Sequence, residues 1–142
     1  MGFFSKAFKS AKKVQNQDLM EAIVAACMLI AAADGSIDKP ERDKTDRLLT
    51  SNENLEAFKA PEIRKVMQKY ENILNADFDV GQMKLMKEIN DIADNAEQAE
   101  EVFLNALAIA KADGEIGDKE KVVLIKIARN LGIGNLEEYG LS

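Results

Sequence analysis

Histidine is absent from the 142 residues, tryptophan is absent as well, and there is a single cysteine. Without an imidazole there is no His-bearing triad and no Cys–His pair, and one thiol cannot build a zinc cage, so much of enzyme chemistry is excluded and a non-enzymatic role is expected. One cysteine also rules out an intrachain disulfide, which fits a reducing cytoplasm. Two prolines and eight glycines leave too few turn residues for an all-β chain. Long hydrophobic runs are missing too. The longest, Ala22 to Ala33, has twelve residues, whereas crossing a bilayer takes about 20, so this run reads as a buried core helix. The opening lacks the long apolar region and small-residue cleavage site of a signal peptide.

Basic charge is scarce except at one end. Residues 1–17 carry Lys6, Lys9, Lys12 and Lys13 and no acid; removing those four from the 19 basic residues leaves 15 against 25 acids over residues 18–142, a balance of -10. Such a body repels nucleic-acid phosphates, so no nucleic-acid partner is expected, and it suits cations or basic partners.

What is present is helical periodicity. Phe3, Phe4, Ala7, Phe8, Ala11 and Val14 form one face of a short basic amphipathic segment, residues 1–16, which precedes the domain proper at 17–142. Asp18 is the expected cap of a core helix over roughly 19–33. Asp38, Pro40 and Glu41 open a more polar helix. Pro61 starts another, with Ile63, Val66, Met67, Tyr70, Ile73 and Leu74 as its stripe. Asp79 is the expected cap of a helix whose Met83, Met86, Ile89 and Ala93 face inward, and Asn95 that of a helix over 96–112. The last long helix spans about 118–131, with Gly132 as its left-handed cap, and residues 135–141 add a turn. No segment has a convincing period of two. The expected fold is all-α, a single compact bundle of about six to seven helices.

One motif occurs twice, 79 residues apart: Ala33-Asp34-Gly35-Ser36-Ile37-Asp38-Lys39-Pro40-Glu41 and Ala112-Asp113-Gly114-Glu115-Ile116-Gly117-Asp118-Lys119-Glu120. Its flanks align as well, Ile30 with Ile109 and Arg42 with Lys121. The bundle is therefore expected to rest on two pseudo-twofold related helix-loop-helix units. Each motif ends an apolar helix at Asp-Gly and places a Glu in the next helix seven residues later, the spacing of positions five to twelve of an EF-hand loop. The front half of that loop is missing, because Ile30 and Ala32, or Ile109 and Lys111, stand where ligands are needed. An ordinary EF-hand is excluded for both copies. Two half-sites pooling Asp34, Glu41, Asp113 and Glu120, with Asp38 and Asp118 as outer candidates, would select a hard divalent cation such as calcium. The competing reading needs no metal: Asp-Gly stops helices, and Asp38 with Glu41 is a capping box.

The opening Met1-Gly2-Phe3-Phe4, the paired Ala-Asp-Gly motifs, the Ala76-Asp77-Phe78-Asp79 stretch and the closing Ile127-Ala128-Arg129-Asn130-Leu131-Gly132 resemble the TerB tellurite-resistance family over nearly the whole chain. The resemblance implies a helical bundle with an acidic, metal-associated surface. It also implies cytoplasmic work as an adaptor or sensor of stress and phage defence, alongside calcium-binding TerD-like proteins and the membrane protein TerC. The family's acidic positions carry over to Asp34, Glu41, Asp113 and Glu120. Asp38 has no acidic counterpart at Gly117, and Asp118 lies one place later.

Cys27 lies within the apolar helix and reads as a core residue, so any route to resistance is indirect: reducing an oxyanion needs thiols or a redox cofactor. The N-terminal segment has two readings. It covers the bundle, or it lies on an anionic inner membrane face through Phe3, Phe4, Lys6, Phe8 and Lys9. A metal-free helical adaptor whose acidic face docks a basic partner is the alternative to the cation-binding module.

Overall fold

The structure, a computed structural model, describes residues 2–112 and 114–141, with side chains from Gln17 onward except at Asn54 and Asp113. Its helices are α1 (Gly2–Ala31), α2 (Lys39–Thr50), α3 (Ala60–Ala76), α4 (Phe78–Asn90), α5 (Ala96–Lys111) and α6 (Asp118–Leu131), with short 3-10 turns at Glu53–Leu55 and Leu136–Tyr139. Among the described residues there is no strand. The chain is all-α.

Helix α1 is the axis of the bundle. From Leu19 to Ala32 every residue except Glu21 is buried, as expected of a helix apolar nearly all round. It packs against each of the other five helices. The unit α5–α6 supplies Val102, Phe103, Leu124 and Ile127 to the same core, all fully buried, while α3 and α4 add Ile63, Tyr70, Leu85 and Ile89. Asp18 is not a cap. Helix α1 runs through it without a break, because neither glycine nor proline occurs between Phe3 and Asp34 to interrupt the helical backbone.

Local capping chemistry sets the other helix starts. Asp38 Oδ1 accepts from the Glu41 N–H at 2.9 Å, and Asn95 Oδ1 from the Gln98 N–H at 3.0 Å, each satisfying an orphan donor of a first turn. Helix α4 is capped by Asp77 rather than Asp79: Asp77 Oδ1 accepts from the Val80 N–H at 3.0 Å, and Asp79 sits in the first turn. That start turns a different face inward. Gly81, Leu85 and Ile89 are buried, whereas Met83, expected to face the core, is 73% exposed. Gly81 explains the choice, since a Cβ there would lie 2.9 Å from the Leu74 Cα. Only glycine lets α4 approach the end of α3 so closely.

Candidate functional site

The duplicated motif is also a duplicated backbone. Gly35 and Gly114 have φ of 103° and 98°. Each donates its N–H back into the preceding helix, Gly35 to the Ala32 carbonyl and Gly114 to the Lys111 carbonyl, both at 2.9 Å. Each is followed by an isoleucine, Ile37 or Ile116, that packs against the core. The hand of the turn requires glycine, because a side chain at such φ is strained. Both copies leave one helix and enter the next in the same way.

The two copies meet at one cleft of about 290 Å³. One wall comes from the end of α1 and the start of α2, with Asp34 and Glu41; the other is the first turn of α6, with Gly117, Asp118, Lys119 and Glu120. The floor includes Ile30 and Ala31. Asp34, Glu41, Asp118 and Glu120 thus line a common space. Asp38 is exposed and its Oδ1 is engaged in capping. Asp113 lies outside the described residues, and so do the side chains of Phe3, Phe4, Lys6, Phe8 and Lys9.

The two glutamates differ. Glu120 Oε1 accepts from the Gly117 N–H at 3.0 Å, so this carboxylate forms half of a capping box whose other half is missing because Gly117 has no side chain. In the first copy Asp38 does the capping, while Glu41 Oε2 is buried with no hydrogen-bond partner among the described residues. Partial burial raises the Glu41 carboxyl above its ordinary range, the charges of Asp38 and Asp34 raise it further, and a hydrogen bond from the Asp38 backbone and the charge of Lys44 oppose them. An oxygen of this kind is a ready acceptor for a cation. Asp34 is partly spoken for, its Oδ1 accepting weakly from the Ser36 N–H at 3.4 Å. Among the described residues no three acidic or thiol side chains converge closely enough to hold a metal ion.

The spacing of the motif gave no warning of Lys119. It stands where the first copy has Pro40, so aligning the copies hides a cation that lines the cleft. Cys27 is fully buried and burial pushes its thiol strongly up, which keeps it protonated and inert.

A family model described as Tellurite resistance protein TerB matches residues 20–138. The chain belongs to the TerB family. It is similar to a Tellurium resistance protein TerB of Alcaligenes sp, 28% identical over 88 residues that cover 62% of this chain and 72% of the relative. No solved structure matches. The TerB match begins inside α1 and ends in the last 3-10 turn, so it takes in both Asp-Gly turns and the cleft between them. Membership places the chain among proteins of the tellurite-resistance type. No described helix is long and apolar enough to cross a membrane.

Proposed function

We propose that this TerB-family chain is a non-catalytic, cation-binding helical module, with calcium as its ion, that works as an adaptor or sensor beside TerC-like and TerD-like proteins in the cytoplasm. The observation that carries the reading is the shared cleft, into which both copies of the motif deliver carboxylates and where Glu41 retains an unpartnered buried oxygen. Carboxylate oxygens suit hard cations, and no softer donor lines the cleft. Glu41 and Asp34 would hold the ion from one side, and Glu120 and Asp118 from the other, with Asp113, the residue before Gly114 in the sequence, as a further candidate. An ion there would tie α1 and α2 to α6 and so fix the shape of the acidic face offered to a partner. The buried, protonated Cys27 supports a route to resistance other than thiol reduction. The N-terminal segment, with four lysines and three phenylalanines, is suited to the inner membrane face.

A second reading has a specific observation in its favour. Glu120 already serves as a cap partner and no three described acidic side chains converge, which suits a metal-free adaptor whose acidic face docks a basic partner. Calcium titration of the isotope-labelled chain, with magnesium as control, separates the two. Under the cation reading the amides of 33–41 and 114–120 shift together and saturate, and Glu41→Gln weakens the binding. If neither motif shifts, the cation reading fails and the metal-free adaptor stands.

A further inference from the structure

Helix α2 is only lightly attached to the bundle. Of its twelve residues Thr45 and Leu49 alone are buried, and it is the least packed of the six helices. The face it turns to α1 and α3 carries Arg42, Thr45, Asp46 and Leu49, the i, i+3, i+4, i+7 pattern of a docked helix, yet two of these four positions are charged. They make the ion pairs that reach α3: Arg42 with Glu71, whose side chain is 5% exposed, and Asp46, which accepts from Arg64 Nε at 2.9 Å. A cavity of about 160 Å³ lies between α1, α2 and α3, lined by both ion pairs and by the buried Met28 and Met67. Where a closely packed helix fills such a space with side chains, α2 bridges over it.

The hydrogen bonds that shape α2 stay within it. Asp38 caps its first turn, the Thr45 hydroxyl donates to the Glu41 carbonyl at 2.8 Å, and Thr50 and Ser51 donate to the Asp46 and Arg47 carbonyls at 2.7 and 2.6 Å. Departure from α1 and α3 breaks none of these bonds, and it returns the Glu71 carboxylate to water, which offsets part of the lost pairing. The two ends of α2 differ. At the C-terminal end Leu49 is 1% exposed, and the following Asn52 donates to Asn105 of α5. From Ala33 to Lys44, by contrast, every residue is exposed or half-buried. We propose that α2 is a lid, which swings from its Leu49 end while α1 and α3 to α6 stay packed, with the two ion pairs as its latch. Glu41 lies on the moving end, so opening carries it away from Glu120 and dismantles the cleft, and it uncovers Met28, Met67 and the Glu71 carboxylate. The position of the lid then decides whether the cleft exists. This inference does not rest on the cation reading, because packing and ion pairs alone define the lid.

Native-state hydrogen exchange of the full chain, followed amide by amide in low urea, tests it. A helix of this length is marginal in water once undocked, so opening of the lid releases its amides. After correction for intrinsic rates, the amides of 42–50 should exchange at least about tenfold faster than those of α1 and α5. Their urea dependence should be much the smaller, since lid opening exposes little surface. Arg42→Ala should speed the α2 amides about a hundredfold, because it strands Glu71 in the closed state. Val102→Ala, in the core of α5, should speed the amides of α1 and α5 roughly tenfold and leave those of α2 unchanged. If α2 shares the rates and urea dependence of α1 and α5 in the unaltered chain, it opens only by global unfolding and the proposal is overturned. So it is if the folded Arg42→Ala variant exchanges α2 no faster, or if Val102→Ala speeds α2 as much as the core.

Discussion

The two Asp-Gly units share a backbone and differ in what their side chains do with it. Both turn at a glycine with φ near 100° and tuck an isoleucine against the core. Beyond the turn they diverge. In the first copy Asp38 caps α2 and leaves Glu41 with a spare, partly desolvated oxygen; in the second, Gly117 has no side chain to cap with, and Glu120 reaches back to the Gly117 N–H. The helices that follow differ in depth as well. Helix α2 buries only Thr45 and Leu49, whereas α6 buries Leu124, Ile127, Ala128 and Leu131. A helix that buries little must be held by something else. For α2 two ion pairs to α3 do this: Arg42, whose guanidinium donates to Glu71 from Nε at 2.7 Å and also from Nη2, and the more exposed Asp46, which accepts from Arg64 Nε at 2.9 Å.

The Arg42 pair yields the largest expected effect. The Glu71 side chain is only 5% exposed, so removing its partner strands a buried carboxylate, and Arg42→Ala should cost about 3 kcal/mol in urea unfolding. The aligned residue of the second copy, Lys121, makes no comparable ion pair among the described residues, and Lys121→Ala should change stability by no more than about 0.5 kcal/mol. Equal losses at the two positions would mean that α2 and α6 are anchored alike.

The turn glycines should behave alike where the ion pair does not. Nothing lies within 4 Å of a Cβ built on Gly35 or Gly114, so the penalty of Gly35→Ala or Gly114→Ala is backbone strain alone, roughly 1–2 kcal/mol in each case. Thermal melts of the two variants should coincide. A penalty in one copy only would show that the shared geometry is needed on that side alone.

The sequence made these turns and caps legible because they are local. Asp38, Asn95 and Gly132 announce their roles within four residues, and the structure places each as expected. Asp77 and Asp79 compete for one cap two residues apart, and the outcome depends on Gly81 meeting Leu74, a tertiary contact. Met83 leaves the core for the same reason: a stripe through 83, 86, 89 and 93 and one through 81, 85 and 89 share the buried Ile89, and packing on α3 selects the second, keeping Met86 and Ala93 half-buried and turning Met83 out. At the cleft, the repeat singled out Asp34, Glu41 and Glu120. Their approach to one space depends on α1 packing against α5, which no local pattern encodes. Lys119 was hidden because the repeat offers Pro40 at its position, and Arg42 with Glu71, 29 residues apart, left no trace in the periodicity.

The caps give the next smaller effect. Asp38→Ala removes an acceptor from the first turn of α2 and should cost about 1 kcal/mol. Gly117→Asp supplies the second copy with the side chain it lacks, at a backbone of φ -65° and ψ 155° that any residue adopts. Glycine is only slightly worse than aspartate as a cap, so the gain should be a few tenths of a kcal/mol. The new Cβ would lie 3.0 Å from Glu120 Oε1, so if Gly117→Asp destabilises instead, displacing Glu120 from the Gly117 N–H and adding a carboxylate to the acidic cleft together outweigh the new cap.

The smallest effect carries the sharpest sign. Glu41 holds its proton more tightly in the folded chain than in the unfolded one, so its ionised form opposes folding. Across the window between the ordinary glutamate value and the raised one, the folded state binds more protons, and stability falls as pH rises; the penalty then persists at neutral pH. Glu41→Gln removes it. In the absence of divalent cations the variant should melt higher than wild type at neutral pH and converge with it below the ordinary carboxylate range, with a gain of a few tenths of a kcal/mol because solvent screens the site. Glu120→Gln should move the other way, since it trades a charged acceptor of the Gly117 N–H for a neutral one at a helix N-terminus that favours negative charge. Opposite signs in the two melting series would show that equivalent glutamates have been given unlike work, one capping a helix and one left open to the cleft. Equal signs would return both to a single role, and the difference between the copies would then lie in α2 and α6 alone.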